Sequence, residues 1–456
     1  MPRIETRHRR IVTTLPAPGS LPILRDLLAY EPASMAADQL PVVWDRAEGA
    51  TVWDAWGNRW IDFSSGIFAA NVGHAHPDVR RAIAEQVERP LLHNYYFPSS
   101  LRAALVKKLV QACGPPVEKA FLLTTGSETI ECAIKLSRLR GRRIAPDKLG
   151  IVSFTGAFHG KTMGAQMASG KPAAKEWIGY HDPAIFQIPF PFCGRCPWGR
   201  DTYDTCGAEC FEKGMEQLFD RGVRPGQIAA FILESYQGWG AIFYPDEYVH
   251  AVRDWADRHD ALLVFDEVQS GFGRTGKLFA FQHYGVRADL VCCGKGISSG
   301  LPLSAILGPA DVLDVDPSLN STHSGNPVCC AAALATLEVL EKEDLLSAAV
   351  KTGRAVEDAL RVIAARHPRV VDAVLGRGLV YAVHFVSPET RQLDVALADR
   401  VTERAMQKGV LMVRTGVGTL KIGPPLNIPE DAALEGIQAI GEALDECFAE
   451  RGAGGR

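Results

Sequence analysis

Two polar residues follow short apolar stretches and could take part in one reaction. Lys295 comes just after the strand-like stretch 288–293 and lies between two glycines. Asp266 ends a similar stretch, which begins at residue 261. A lysine amine forms imines with carbonyl compounds, and a buried carboxylate keeps a neighbouring pyridine nitrogen protonated. Chemistry on pyridoxal phosphate needs both groups, so the pair predicts a site for that cofactor.

Strand-like runs alternate with helix-like segments in the part of the chain that contains these residues. The runs lie at 121–125, 150–154, 229–233 and 261–265. This alternation predicts an α/β fold with a mostly parallel sheet that is covered by helices on both faces. Ligands of such folds bind beyond the carboxyl ends of the strands. We therefore expect Lys295 and Asp266 at that edge of the sheet.

Three further turns have residues suited to a flat, phosphorylated ligand. Gly126 and Ser127 open a helix-like segment, whose free N–H groups and dipole favour a phosphate, although a serine there is usually only a cap. Phe158 and His159 follow another strand, and Phe158 could stack on a ring or only fill a gap in the core. The run 266–276 is the stronger signal, because an acid, a glutamine and several glycines follow a buried strand.

The overall composition excludes several classes of function. The 456 residues are 47% hydrophobic and 22% charged, with a formal net charge of -4. No net field would attract nucleic acid or an anionic membrane, and no apolar run approaches the ~20 residues of a membrane span. The basic residues near the start are not followed by the apolar core of a signal peptide. We expect a cytoplasmic protein that binds neither nucleic acid nor a membrane.

Four of the eleven cysteines share a loop that is rich in proline, glycine and aspartate. They are Cys193, Cys196, Cys206 and Cys210. Four thiols with these gaps could hold a structural zinc ion. The second pair, however, has three intervening residues, and nothing else indicates a zinc ribbon. The sequence therefore favours free or reversibly oxidised thiols, and we name no metal ligands.

Six motifs resemble those of the class III aminotransferases. This fold-type I pyridoxal phosphate family includes ornithine, 4-aminobutyrate and omega-amine transaminases. The motifs lie at 71–77, 125–128, 158–160, 266–276, 294–296 and 321–327. The resemblance extends from about residue 40 to about residue 430. It implies an enzyme that moves an amino group between a primary amine and a 2-oxo acid or another carbonyl acceptor.

The resemblance implies a role for each matching residue. Lys295 would form the Schiff base with the cofactor and later transfer the substrate proton, and Asp266 would pair with the pyridine nitrogen. Gln269 would hydrogen-bond the ring 3-oxygen, and Val268 would pack on the ring face opposite Phe158. The other cofactor residues would be Gly126, Ser127, His159 and Thr322 of the partner subunit. That last contact implies a homodimer with a shared active site.

A second, smaller domain is expected as well. From about residue 338 the pattern changes to longer amphipathic helices with a few short strands. We expect an N-terminal segment at 1–70 that contributes to the small domain and to a dimer contact. A large cofactor-binding domain would follow at 71–335, and a small C-terminal domain at 336–456. The small domain would thus be of the α+β class and would draw on both chain ends.

The sequence departs from the family pattern where substrate is expected to bind. Members that use glutamate carry a second Glu where Trp239 stands and an Arg where Lys421 stands. Lys161 likewise replaces an Arg that often follows the Phe-His-Gly motif. Arginine clamps a carboxylate through two bonds, whereas lysine is a point charge, so these exchanges are not conservative.

These departures predict a pocket with an aromatic wall, suited to a large amine such as an amino sugar, a cyclic amine or an apolar amino acid. An omega-amine is the other candidate substrate, from the resemblance to the family. The candidate substrate residues are Ile67, Phe68, Lys161, Glu234, Trp239 and Lys421, with Tyr95 or Tyr96. In the alternative interpretation, Trp239 only packs, and Lys421 or Arg414 still receives a carboxylate. A racemase or epimerase is the alternative activity, because the same site could return the proton to the substrate carbon. The sequence does not decide the amine substrate or the amino donor.

Overall fold

The computed structural model describes residues 3–36, 39–196, 198–199 and 206–453, without the side chains of 451–453. The chain forms two compact units. The first consists of Met1–Pro77, Trp239–Ala241 and Asp344–Arg456, and the second of Asp78–Gly238 and Ile242–Glu343. Of the described helices, none has the length and apolar character needed to cross a bilayer.

Strands and helices alternate through the chain. The strands are β1 (Ile4–Glu5), β2 (Arg10–Ile11), β3 (Arg46–Glu48), β4 (Thr51–Trp53), β5 (Arg59–Asp62), β6 (Lys119–Leu123), β7 (Gly150–Phe154), β8 (Ile185–Ile188), β9 (Ile228–Glu234), β10 (Tyr236–Gln237), β11 (Ile242–Phe243), β12 (Leu262–Glu267), β13 (Leu290–Cys293), β14 (Ser304–Gly308), β15 (Val371–Arg377), β16 (Val380–Phe385), β17 (Val410–Leu411), β18 (Val413–Arg414) and β19 (Thr419–Ile422). The α-helices are α1 (Leu21–Tyr30), α2 (Ala33–Ala36), α3 (Ser65–Phe68), α4 (Pro77–Glu88), α5 (Ser100–Cys113), α6 (Gly126–Ile144), α7 (Met163–Ala168), α8 (Glu209–Asp220), α9 (Asp246–Arg258), α10 (Ala310–Leu313), α11 (Pro327–Lys342), α12 (Leu345–Arg366), α13 (Val395–Gln407) and α14 (Glu430–Ala453).

A seven-stranded sheet forms the centre of the second unit. Its strand order is β6-β14-β13-β12-β9-β7-β8. All neighbours are parallel except at β14, which is antiparallel to both of the strands beside it. Every residue of β9, β12 and β13 is buried, as expected for strands that are covered on both faces. The mostly parallel α/β sheet predicted from the sequence is confirmed.

The first unit combines both ends of the chain. Strand β17, from the C-terminal part, pairs in parallel with β5 from the N-terminal part. A separate antiparallel sheet has the order β15-β16-β19-β18, and helices α12 and α13 both contact this sheet and pack against α14. This unit therefore has the α+β character that was expected of the smaller domain.

Three residues between β10 and β11 belong to the first unit although their neighbours belong to the second. They are Trp239, Gly240 and Ala241. Two hydrogen bonds hold them there: the Thr419 hydroxyl donates to the Trp239 carbonyl at 2.8 Å, and His384 Nε2 lies 2.8 Å from the Gly240 carbonyl. No local pattern in the sequence predicts this excursion of the chain.

Candidate active site

Asp266 and Lys295 lie at the same edge of the large sheet. Strands β12 and β13 are parallel, and Asp266 pairs in register with Cys292, three residues before Lys295. Burial lowers the pKa of the Lys295 amine, and the negative charges of Asp266 and Glu234 oppose that shift. The structure therefore brings the predicted amine and carboxylate into one buried electrostatic environment.

The backbone of Lys295 has a left-handed conformation, with φ of 42°. A non-glycine residue in this region costs about 1–3 kcal/mol, and such strain is concentrated at functional sites. The preceding residue is in a tight place, because a Cβ on Gly294 would lie 3.1 Å from Val268 Cγ1 and would press on that side chain. The glycine in front of Lys295 thus allows a close approach of β13 to the turn after β12.

A buried histidine fixes the orientation of Asp266. His159 Nδ1 lies 2.8 Å from Asp266 Oδ2, and both side chains are buried. Among the described residues, the buried Nε2 atom of His159 has no hydrogen-bond partner. An unpartnered N–H group costs more than an unpartnered lone pair, so we assign the proton to Nδ1, which donates to Asp266. The other oxygen, Oδ1, accepts from the backbone N–H of Val268 at 3.1 Å.

A tight cradle surrounds the start of α6. A Cβ on Gly126 would lie 2.5 Å from Val268 Cγ1, and one on Gly160 would lie 2.2 Å from Ser127 Oγ. Ser127 Oγ also accepts from the backbone N–H of Lys161 at 3.3 Å. The glycines therefore let three separate turns meet at a helix N-terminus, where backbone N–H groups favour a phosphate.

Thr125 determines where α6 begins. Its side chain accepts from the backbone N–H of Glu128, and the Glu128 carboxylate accepts from the backbone N–H of Thr125. This reciprocal capping box makes Gly126 the first residue of the helix. Backbone N–H groups at the start of the helix then point out of its N-terminal end. The short motif at 125–128 thus positions the turn that was expected to bind phosphate.

Phe158 does not fill a gap in the core. Half of its surface is exposed (50%), so the ring is available to a ligand. Its backbone N–H donates to Glu234 Oε2 at 3.1 Å. The other oxygen, Oε1, accepts from the backbone N–H of Gly238 at 3.0 Å. Glu234, which was expected to bind substrate, thus ties the Phe158 turn to the end of β10.

Glu234 is buried among other ionisable groups. Burial raises its pKa to about 7, the charge of Asp266 acts in the same direction, and His159 opposes the shift. Near neutral pH this carboxyl group therefore exchanges a proton within the same electrostatic environment as Lys295.

The first unit contains the other candidate substrate residues. Ile67 and Phe68 belong to α3, whose four residues have φ between 49° and 65° and form a left-handed turn. Ile67 is exposed, whereas Phe68 is buried and its ring lies 4.7 Å from Lys421 Nζ. A cation on an aromatic face is stabilised by the ring quadrupole. Trp239 is half-buried, and its ring lies 5.8 Å from that of His384.

The remaining candidates lie at the surface or are already paired. Lys161 and Tyr96 are exposed, and Tyr95 donates from its hydroxyl to Asn320 Oδ1 at 3.2 Å. Arg414, the alternative carboxylate receptor, forms an ion pair with Glu403.

Comparison with known proteins identifies the family. The family model described as "Aminotransferase class-III" matches residues 33–444. The chain is a class III aminotransferase. It is 34% identical to the 5-aminovalerate aminotransferase of Pseudomonas aeruginosa, over 89% of this chain and 94% of that one. It is also 32% identical to the leucine/methionine racemase of Thermococcus litoralis, over 91% of this chain and 93% of that one.

A solved structure is similar in fold as well as in sequence. An amine transaminase from an uncultivated Pseudomonas species, in its pyridoxal phosphate-bound form, has a TM-score of 0.83 and 30% identity. The alignment covers 89% of this chain and 95% of that one. The family, the fold type and the cofactor predicted from the motifs are therefore confirmed, and this aminotransferase uses pyridoxal phosphate.

The residues of this aminotransferase fit the cofactor. The site has a buried acid held by two hydrogen bonds, a lysine just after the adjacent strand, a half-exposed aromatic ring and a glycine-lined helix N-terminus. An acid and a lysine at the carboxyl ends of adjacent parallel strands suit a pyridine ring that carries an aldehyde. A helix N-terminus suits its phosphate.

Two residues of the aminotransferase site were not found by sequence reasoning. The Tyr236 hydroxyl donates to Gln269 Oε1 at 3.3 Å. Glu267 is completely buried and accepts from the hydroxyls of Ser235 and Ser270. It also accepts from the backbone N–H groups of Ala280 and Phe281. The signal for Glu267 was present, because a second acid follows Asp266 at the end of a buried strand.

The four loop cysteines of the aminotransferase are free thiols and are partly buried. Burial raises the pKa of Cys210 to about 12, and the negative charges of Cys206, Cys193 and Cys196 act in the same direction. The four thiols are thus close enough to influence one another. Within the described part of the chain, no group of three or more His, Cys, Asp or Glu residues could hold a metal ion.

Proposed function

We propose that this aminotransferase moves the amino group of an omega-amine or a bulky primary amine to a 2-oxo acid or another carbonyl acceptor. The observation that carries the proposal is the position of Asp266 and Lys295 at the ends of adjacent parallel strands. When bound, pyridoxal phosphate supplies the electron sink that makes loss of the substrate proton possible.

Asp266 would hold the pyridine nitrogen of the cofactor. A carboxylate beside that nitrogen favours its protonated, positively charged form. The bonds from His159 and Val268 fix the carboxylate, so that it needs no reorganisation when charge develops on the ring. Val268 and Phe158 would enclose the ring from opposite faces.

Lys295 would link to the cofactor and later carry the substrate proton. An amine must be neutral to attack a carbonyl group or to accept a proton. Burial lowers the pKa of Lys295 and so increases the neutral fraction, while Asp266 and Glu234 limit the shift. The same group can therefore act as a base at the substrate carbon and then return the proton.

The phosphate of the cofactor would lie at the start of α6, against Gly126 and Ser127, with Thr322 of the partner subunit completing its contacts. Thr322 is exposed in this chain. Beside it, the rings of His93 and His323 lie 5.4 Å apart, which brings the loop of Thr322 next to the segment 91–97. That segment exposes apolar side chains, namely Leu91, Leu92, Tyr96 and Phe97.

Exposed apolar surface next to Thr322 supports a homodimer, because contiguous apolar patches usually mark an interface. A cleft of about 450 Å³ on the same face is lined by Tyr95, Tyr96, Leu319, Asn320 and Ser321, among others. Light scattering should give a dimer mass for the holoenzyme. The variant Thr322→Ala should remain dimeric and bind pyridoxal phosphate more weakly. A monomer with full cofactor affinity would contradict the shared site.

A cytoplasmic location is proposed as well. All eleven cysteines are free thiols, and thiols persist mainly in reducing compartments. Fractionation of the native host, with antibody detection of the protein, would test this proposal. Recovery in a secreted fraction would contradict it.

Racemisation or epimerisation is the second candidate activity. The racemase relative is 32% identical to this chain, almost as similar as the aminotransferase relative at 34%. Both reactions begin with loss of the proton from the carbon that bears the amine. They differ because only transamination converts the cofactor to its amine form and releases a carbonyl product.

A panel of amines tests the two activities. The purified holoenzyme is mixed with omega-amino acids, amino sugars or ordinary amino acids without an oxo acid, and the cofactor spectrum and carbonyl products are recorded. Transamination predicts stoichiometric conversion of the cofactor and an equal amount of carbonyl product. If solvent deuterium enters a recovered amine and the cofactor is not converted to its amine form, the result would instead support the racemase. No reaction with any amine would contradict both.

A further inference from the structure

The turn 65–68 has an unfavourable backbone conformation that burial does not offset. The four residues of α3 have φ between 49° and 65°. Glycine adopts this left-handed region freely, but for a β-branched side chain such as that of Ile67, with φ of 65°, it is exceptional. Ile67 is also 53% exposed, so its apolar side chain gains little from the fold. Strain of this kind persists only where the surrounding structure imposes it, and it is concentrated at functional sites.

The side chain of Ser64 holds the turn at its start. The backbone N–H of Gly66 donates to Ser64 Oγ at 3.1 Å. A second bond, from Ser65 Oγ to the Gly423 carbonyl at 2.6 Å, attaches the turn to the segment after β19. The two bonds hold different residues of the turn, and the one from Gly66 fixes the backbone immediately before Ile67.

Asp62 determines how the Ser64 hydroxyl group is directed. Ser64 Oγ donates to Asp62 Oδ1 at 2.6 Å, and the backbone N–H of Ser64 donates to the same oxygen at 2.7 Å. The other oxygen, Oδ2, lies 2.7 Å from His74 Nε2. Asp62 is completely buried, so its oxygens need these partners. Because the single hydroxyl proton of Ser64 is directed at Asp62, the lone pairs of Oγ can accept from Gly66.

We propose that Ser64 is a positioning residue, whose hydroxyl group fixes the strained turn so that the exposed Ile67 side chain limits the size of the amine substrate. The inference rests on the proposed function and deepens it, because Ile67 must face the bound amine. Ser64 itself is buried and would not touch the substrate. Its loss should therefore change the choice between amines only by way of Ile67.

Discrimination between amines is the quantity that the turn should control. One methyl group in an apolar pocket changes kcat/KM by about ten-fold or more when the pocket wall is fixed. Without the bond from Gly66 the turn can relax, and Ile67 can yield to the larger of two amines. The ratio of the two kcat/KM values should then move towards one, mainly because the larger amine reacts better.

The test compares the wild-type holoenzyme and its variants with two amines of the panel. The pair consists of homologues that differ by one methyl group and that wild type separates best. We expect Ser64→Ala, which removes only the hydroxyl group, to reduce the ratio of their kcat/KM values by about two- to ten-fold, as for loss of one hydrogen bond. An unchanged ratio in a folded, cofactor-loaded variant would overturn the inference, as would a wild type that separates no such pair.

Ser20→Ala is the matched control. Ser20 is a buried serine of the same unit, and its hydroxyl group donates to the Ala17 carbonyl at 2.7 Å. Its removal should leave the ratio at the wild-type value, and an equal change in both variants would count against Ser64. Ser64→Cys has a similar size and a weaker hydrogen-bonding group, and it takes the place of Ser64→Ala if that variant does not fold. It should change the ratio in the same direction.

A double variant separates action through Ile67 from a direct effect. Ile67→Ala should lower the ratio, and Ser64→Ala combined with Ile67→Ala should match Ile67→Ala alone. Additive changes would overturn the inference but leave the proposed function intact, as would a change in Ile67→Ala with none in Ser64→Ala. No change in Ile67→Ala would remove both residues from the control of substrate choice. Failure of the wild-type holoenzyme to react with any amine would instead reject the proposed function.

Discussion

His159 Nδ1 donates a hydrogen bond to Asp266 Oδ2 across 2.8 Å in a buried site, although 107 residues separate them in the chain. The first lies in the turn after β7 and the second at the end of β12. The contact would make Asp266 a preorganised acceptor for the pyridine nitrogen that it is proposed to hold, because the carboxylate cannot rotate without losing a hydrogen bond.

Replacing His159 should weaken catalysis without removing the cofactor. In His159→Ala, Asp266 keeps its bond from Val268 but loses the one from the imidazole. We expect kcat to fall about ten- to a hundred-fold, since one charge-assisted hydrogen bond contributes about 1.5–3 kcal/mol. Asp266→Ala, which removes the acid itself, should lower kcat much more than His159→Ala does. Steady-state kinetics with matched cofactor loading measure both, and equal losses would contradict an indirect role for His159.

Glu234 should make stability depend on pH. Its pKa is about 7 in the folded protein against 4.5 ordinarily. The folded state therefore holds a proton that the unfolded chain has lost between these values. This proton's contribution to the free energy of unfolding is fully present below pH 4.5 and is lost as the pH rises through 7. Wild type loses this stabilisation between pH 5 and pH 8, whereas Glu234→Gln has no carboxyl group to titrate. The free energy of unfolding of Glu234→Gln minus that of wild type should therefore rise over this range, by about 3 kcal/mol at most.

Denaturant unfolding at several pH values measures this difference. Groups that titrate identically in both proteins cancel in the comparison. A constant stability difference between pH 5 and pH 8 would show that the carboxyl group does not titrate in this range.

Glu267 should be important for stability rather than for chemistry. Both oxygens accept hydrogen bonds, and the donors come from two chain segments besides its own turn. Glu267→Gln places an NH₂ group against these donors and should destabilise the fold by about 2–4 kcal/mol. Thermal unfolding gives the change. The exposed Glu341→Gln is the control and should have a much smaller effect.

Gly126 should be required for cofactor binding because of its contact with Val268. In Gly126→Ala the new Cβ would lie 2.5 Å from Val268 Cγ1, so Val268 must move. Val268 is the side chain proposed to pack on the cofactor ring. We expect about ten-fold weaker binding of pyridoxal phosphate, as typical overpacking costs about 1–3 kcal/mol. Adding Val268→Ala should restore part of the affinity. No rescue in the double variant would locate the effect elsewhere, for example at the phosphate.

Much of the site could be predicted because its residues follow buried strands. Asp266 and Lys295 each come at the end of an apolar run, and parallel strands deliver such ends to one edge of the sheet. The glycines at 126 and 294 could be found in the same way, since they stand at turns between a strand and a helix. Tyr236 could not, because a buried tyrosine two residues beyond a strand has the same local pattern whether or not it contacts Gln269.

The sequence alone determined the family, the cofactor and the order of strands and turns, because local periodicity and short motifs carry that information. Only the tertiary structure decided which groups meet. Both carboxylate oxygens of Glu234 accept hydrogen bonds from backbone N–H groups, and one of these belongs to Phe158, 76 residues away in the chain. Trp239 joins the first unit through a bond from Thr419, 180 residues later. Such hydrogen bonds depend on how distant segments pack, and no pattern of neighbouring residues specifies them.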